Sequence, residues 1–256
     1  AGRSAAGRMN IRAVAAQALA LVLGEGRSLT MAFPSASALE RIDPRDRGLL
    51  HELCYGVCRW QPQLQALLDL LLERPLDPRE PLVQGLLLAG LYQLHHLRIP
   101  EHAAVAETVT AARQLHKPWA ANLCNAVLRS FLRRRTELLA QVENNAAART
   151  AHPRWLLERL QHDWPDDWPT MVAANNTRPP FALRVNPRHL SREDYQFRLA
   201  TAGKDAQPAA PVATALILAE PAEPMTLPGF AAGWVSVQDA AAQLAAPLLN
   251  LQPGLR

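Results

Sequence analysis

The sequence predicts a mainly α chain: an all-α helical bundle, then linker helices, then a small α/β subdomain. Three observations lead there. Alanine and leucine dominate a composition with only 5% aromatic residues, and both favour helix. The run from Pro81 to Leu94 is almost wholly apolar, so no polar face can be drawn on it. A helix apolar all round is a buried one, and this one is too short to span a bilayer. From Phe181 the periodicity changes to strict alternation, as a half-buried strand requires.

Each element has its own signal. Ile11, Val14, Ala15, Ala18, Leu21 and Val22 repeat at helical spacing, and Arg12 and Gln17 interrupt the run. It reads as an amphipathic first helix and not a secretory leader. Residues 1–8 resemble an expression scar ahead of a native start at Met9. Gly24 and Gly26 close the first helix, because a C-terminal cap wants a residue free to take positive φ. Residues 28–36 read as a short helix broken at Pro34. Asp43-Pro44 is an N-cap followed by proline at the first helical position. It opens a helix to about Trp60 that buries Leu49, Leu50, Leu53 and Val57. Leu64, Leu67, Leu68, Leu71 and Leu72 mark the next helix, and Asp77-Pro78 repeats the start signal. Arg98-Ile99-Pro100 ends the apolar helix, another runs to about His116, and a third follows Pro118 towards Asn144. Residues 153–164 and 165–174 read as short helices whose tryptophans dock on neighbours. Residues 175–180 cannot be regular helix. Phe181 to Asn186 is a strand, Ser191 caps a helix that Gly203 stops, and residues 215–218 and 234–237 are further strands. Asp239 caps a helix to Leu249, and Pro253-Gly254 is a turn. The predicted domains are residues 9–144, a linker over 145–177, and 178–256.

The net charge of +4 is mild evidence for an anionic partner. Nearly all the basic residues are arginine, the better bidentate phosphate ligand, although a biased genome is the better explanation of that. Three cysteines make no disulfide framework and indicate a reducing, cytoplasmic setting. Cys54 and Cys58 share a helical face with His51, but a structural zinc needs four ligands. All three cysteines therefore read as small buried hydrophobes, and no metal is expected. His95-His96 reads as a helix-end pair, Asn122 and Asn125 as hydrogen-bonded packing residues, and Tyr55 and Tyr92 as core.

The candidate ligand groups are arginines. Arg129, Arg133, Arg134 and Arg135 close the basic half of the third helix, and at most two or three share a face. They are either a solvated end whose cations suit the helix dipole or a phosphate-binding edge. Arg45 and Arg47 stand near a helix start, where that dipole disfavours them and an external anion is more attractive. Arg184, with Asn186 and Arg188 beyond, lies on the strand face opposite Phe181, Leu183 and Val185. That face lacks the paired aromatics of a base-stacking sheet, so it suits phosphate.

Two sets of short motifs carry a resemblance. Glu52-Leu-Cys-Tyr-Gly-Val57, Gly90-Leu-Tyr-Gln-Leu94, Arg98-Ile-Pro100, Ala106-Glu-Thr108 and Asn125-Ala-Val-Leu-Arg129 resemble the NusB-type RNA-binding helical domain. Arg178-Pro-Pro, Leu183-Arg-Val-Asn186, Leu227-Pro-Gly-Phe230, Gly233-Trp234 and Val237-Gln-Asp239 resemble the region ahead of the catalytic domain in bacterial ribosomal RNA cytosine-5 methyltransferases. Together and in this order they resemble the Sun/Fmu (RsmB) group. The resemblance implies a NusB-like bundle, an RRM-like α/β subdomain and Arg12 as a further RNA contact. It also implies methyl transfer from S-adenosylmethionine to C5 of a cytosine in 16S, small-subunit, ribosomal RNA, through a cysteine nucleophile. The Gly-rich cofactor turn expected after Pro253-Gly254 is not in the sequence. The chain is thus expected to be a recognition region, inactive alone and binding no cofactor itself. Arg184 then either touches RNA or pairs with an acid of the catalytic domain. A stand-alone NusB-like transcription or ribosome-assembly factor and a helical module for protein partners are the other readings. Residues 178–239 argue against the first of these.

Overall fold

The computed structural model describes residues 9–249 apart from Arg41. They form two units that divide between Asn176 and Thr177. The expected scar at residues 1–8 and the turn at Pro253-Gly254 lie outside the described residues.

The first unit is all helix. α1 (Ile11–Glu25) is capped by Asn10, whose side chain accepts from the Arg12 N–H, and by Gly26 in the left-handed region at φ 67°. Gly24 lies inside the helix and does not end it. α6 (Pro81–His96) is buried continuously from Gly85 to Leu94, as its unbroken apolar run requires. α1 meets it through small residues: a Cβ on Gly85 would stand 3.1 Å from the Ala16 carbonyl oxygen. α4 (Pro44–Arg59), α5 (Gln61–Leu71), α7 (Glu101–Gln114) and α8 (Pro118–Glu143) complete the bundle. Their buried side chains, among them Leu50, Leu53, Leu64, Leu86, Leu128 and Phe131, form one core.

Several local expectations change. The predicted helix over 28–36 is α2 (Leu29–Ala32), and a separate α3 (Ala36–Glu40) follows Pro34. Asp77 caps no helix: its carboxylate accepts from the Arg79 N–H at 2.9 Å in a turn, and α6 starts at Pro81. α9 (Ala146–Thr150), α10 (Arg154–Asp163) and α11 (Trp168–Asn176) follow α8. α11 runs through Asn175 and Asn176, where the sequence forbade helix. The Asn176 amide donates to the Thr150 carbonyl at 2.6 Å, which ties that last turn to the end of α9. Trp155 and Trp164 are exposed and not docked, at 69% and 53%.

The second unit is a four-stranded antiparallel sheet in the order β2-β3-β1-β4. β1 (Phe181–Val185) leads through α12 (Arg192–Thr201) to β2 (Ala206–Pro208). β3 (Ala215–Leu218) lies between those two strands, and β4 (Val235–Val237) pairs with the other edge of β1. This split β-α-β unit with the order 2-3-1-4 is the ferredoxin-like arrangement. A short 3₁₀ turn (Pro224–Thr226) occupies the place of a second helix. Leu183, Val185, Leu216, Leu218 and Val235 on one sheet face pack with Tyr195 and Leu199 of α12. Gly229 permits the turn into β4. It takes φ 67°, and a Cβ there would stand 2.2 Å from the Trp234 ring. β2 lies inside a Pro/Ala-rich stretch that the sequence gives as loop. After β4, Asp239 accepts from the N–H groups of Ala241 and Ala242 at 2.8 and 3.2 Å. The helix it opens is first a 3₁₀ turn (Ala241–Leu244) and then α13 (Ala245–Leu248).

Candidate nucleic-acid interface

The arginines differ in what already holds them. Arg12 is half-buried on α1, its Nε donating to Gln93 Oε1 at 3.0 Å. Burial pulls its pKa down, and the charges of Glu107 and Asp46 oppose that. In the same corner the Asn10 amide donates to both the Glu107 backbone and its carboxylate at 2.9 Å. α4 packs against α1, and the charge of Asp46 in its first turn acts on Arg12 across that contact. Arg47 is half-buried and donates to the Ile42 carbonyl at 3.3 Å. Arg45 is exposed, with no side-chain partner among the described residues.

α8 separates its four arginines. Arg135 is tied inward: Nη2 donates to the Leu94 carbonyl at 3.1 Å and to Glu101 at 2.9 Å, and the guanidinium lies 5.4 Å from the Phe131 ring centroid. Arg134 is held by Glu137 at 2.9 Å. Arg129 is exposed and donates Nε to Asn125 Oδ1 at 3.0 Å, and its two terminal nitrogens have no hydrogen bond among the described residues. Arg133 is exposed and its side chain has no hydrogen bond or ion pair among the described residues. Arg129 and Arg133 are four apart, so they share one helix face.

On the sheet, Arg184 is exposed, opposite Ala215 and Ser236 on the face away from the core. The buried Gln243 donates to the Leu183 carbonyl at 3.3 Å and accepts from Thr214 at 2.9 Å, which ties the segment after β4 to this region. Arg188 projects from the turn after β1. There Asn186 accepts from the Arg188 N–H and donates to the Gly233 carbonyl, both at 3.1 Å, so Asn186 is a turn residue and not a surface ligand.

The remaining candidates divide. Burial pushes the Cys54 and Cys124 thiols up to about 12, which keeps them protonated near neutral pH. Tyr92 is core and donates to Glu52 at 2.6 Å. Tyr55 is not core: it is 48% exposed and stacks on His51 at 5.9 Å. Asn122 is exposed on α8 and does not pack. Sequence reasoning passed over Trp119, 52% exposed at the start of α8. Its spacing of three, seven, ten and fourteen from Asn122, Ala126, Arg129 and Arg133 was the available signal.

Residues 9–133 match the NusB family, and residues 152–224 match the ferredoxin-like domain of RsmF/B-like methyltransferases. The chain is a NusB domain followed by an RsmF/B-type ferredoxin-like domain. Similarity to named relatives extends over nearly all of it. It is 50% identical, over 97% of its length, to a protein of Pseudomonas syringae pv. tomato named ribosomal RNA small subunit methyltransferase B. Proteins of that name in Pseudomonas putida and Vibrio cholerae are 51% and 47% identical, over 97% and 96% of the chain. The chain spans about half the length of these curated relatives, covering 55% and 56% of them. The crystal structure of PH0851 has the same fold, with a TM-score of 0.66 at 17% identity, over 96% of this chain and 57% of that one. Arg12, Arg45, Arg129 and Arg133 belong to the NusB domain, and Arg184 and Arg188 to the ferredoxin-like one. Among the described residues, no helix is long and apolar enough to cross a membrane.

Proposed function

We propose that this chain is the RNA-recognition region of an S-adenosylmethionine-dependent enzyme that methylates C5 of a cytosine in 16S ribosomal RNA. One observation carries the reading: a NusB domain and an RsmF/B-type ferredoxin-like domain stand in the order in which 97% of the chain aligns with a small-subunit methyltransferase. The geometry supports it with exposed arginines, Arg45, Arg133, Arg184 and Arg188, that no carboxylate among the described residues neutralises. Such groups bind phosphates and set register without reading bases.

The described residues do not fit the cofactor or the nucleophile. The turn that leaves β1 is Asn186 to Leu190, without the glycines that let a backbone approach a bound nucleotide. The Cys54 and Cys124 thiols are buried and protonated. The methyl-transfer chemistry therefore belongs to a part of the enzyme outside these residues, and this chain positions the RNA. A stand-alone NusB-like factor has no use for the ferredoxin-like domain. The test incubates residues 1–256 with small-subunit RNA and labelled S-adenosylmethionine. RNA binding without methyl transfer is expected, and methyl incorporation or saturable cofactor binding by this chain would contradict the assignment.

A further inference from the structure

We infer that the exposed face of α8 is a track for single-stranded RNA, with Trp119 as a base-stacking platform at one end and Arg129 and Arg133 as phosphate contacts at the other. The inference rests on the RNA-recognition reading and adds the form of the RNA and the residue that selects it.

Trp119, Asn122, Ala126, Arg129 and Arg133 follow one another at alternating steps of three and four. That spacing keeps them on one face of a helix, in a stripe about 21 Å long at about 1.5 Å per residue. The opposite face is consumed by the core, where Ala120, Ala121, Cys124, Val127, Leu128 and Phe131 are buried. All five stripe residues are exposed. A tryptophan left 52% exposed is the one large apolar group among them. The charge along the stripe has one sign. Arg129 is braced by Asn125 with its outer nitrogens unused, and Arg133 has no partner, whereas Arg134 and Arg135 of the same helix turn to Glu137 and Glu101. No carboxylate interrupts α8 between Pro118 and Glu137. Asn122 offers an amide for a base edge or phosphate, and Ala126 leaves the middle of the stripe low.

An aromatic platform beside a positive track is how single strands are held, because every unstacked base has a π-face to offer. A duplex has its bases already stacked and leaves Trp119 without a ligand. A protein partner covering Trp119 would leave two desolvated, unpaired guanidiniums unless it supplied carboxylates. The positive stripe thus favours RNA.

The test measures affinity of the full chain for a short oligouridine and for a blunt RNA duplex of matched length, in wild type, Trp119→Ala, Trp119→Phe and Arg133→Gln. The oligouridine is expected to bind more tightly than the duplex. Trp119→Ala is expected to weaken it about ten-fold or more, the scale of one stacked base, and Trp119→Phe to retain most of the affinity. Arg133→Gln changes an exposed, unpartnered side chain and so keeps the fold; it is expected to lower the slope of log K against log salt by about 0.7. Equal affinity of wild type and Trp119→Ala for the oligouridine, or a duplex bound as tightly as the single strand, overturns the inference. In either case the broader recognition reading stands, and equal affinity leaves the face to a protein partner. Absence of any RNA binding by the wild type overturns both.

Discussion

Arg133 and Arg135 are two positions apart on α8, yet they point to opposite consequences when truncated. Arg135 ties α8 to the end of α6 and the start of α7 through Leu94 and Glu101. Its replacement by alanine is expected to cost about 1 kcal/mol of stability, the scale of one hydrogen bond and a half-exposed pair, with RNA affinity unchanged. Arg133→Ala is expected to keep the melting temperature and weaken RNA binding; thermal melts and a binding titration on the two variants check both. Gly56 supplies a third residue-scale case. A Cβ there would stand 2.0 Å from the Tyr92 ring, so Gly56→Ala must displace the ring and its bond to Glu52. Overpacking of this kind costs about 1–3 kcal/mol, measurable by denaturant unfolding. His95 and His96 give the chain a pH dependence. Burial holds both below the ordinary 6.5, with Arg135 adding to it at His95 and His95 adding to it at His96, which falls to about 3. Below 6.5 the unfolded chain binds protons that the folded chain refuses, so stability is full above that value and declines as pH falls towards 3. The melting temperature is expected to drop between about pH 7.5 and pH 5, and to drop less in His96→Gln.

At the scale of elements, the sequence was most legible where one physical cause dominated. The buried α6 was written in an unbroken apolar run, and α4 in the Asp43-Pro44 start. α12 was written in Ser191, which accepts from the Asp194 N–H at 3.0 Å, with Gly203 stopping it at φ 69°. The misses fall where tertiary contacts overrode local preference. β2 is only three residues, Ala206–Pro208, and exists because β3 presents an edge to pair with. α11 outlasts its poor helix formers because Asn176 is bonded to α9. Asp77 had the composition of a cap but closed a turn on Arg79. Of the candidate site, the arginines were visible and their states were not, since a carboxylate such as Glu101 is distant in sequence from the Arg135 it holds. Tyr55 was read as core because an aromatic at helical spacing is more often core, and Trp119 drew no reading. The cysteines give an element-scale check. Thiols raised to about 12 on the buried faces of α4 and α8 are expected to resist alkylation in native protein at neutral pH and to react after denaturation, as mass spectrometry would show.

On the scale of the whole molecule, the proposed RNA recognition is shared by two units with different surfaces, a helix face and a sheet face. Among the described residues the Cys54 and Cys124 thiols are buried and raised to about 12, which does not suit them to attack a base. Affinity that comes from arginine–phosphate contacts has a thermodynamic signature that an apolar protein interface lacks: bound counterions are released, and binding weakens steeply with salt. The decisive measurement is the dissociation constant of residues 1–256 for a small-subunit ribosomal RNA fragment across a range of salt concentrations. The account predicts a linear fall of log K with log salt, with a slope of about −2 or steeper for three or more phosphate contacts at about −0.7 each. No binding, or an affinity indifferent to salt, would contradict it.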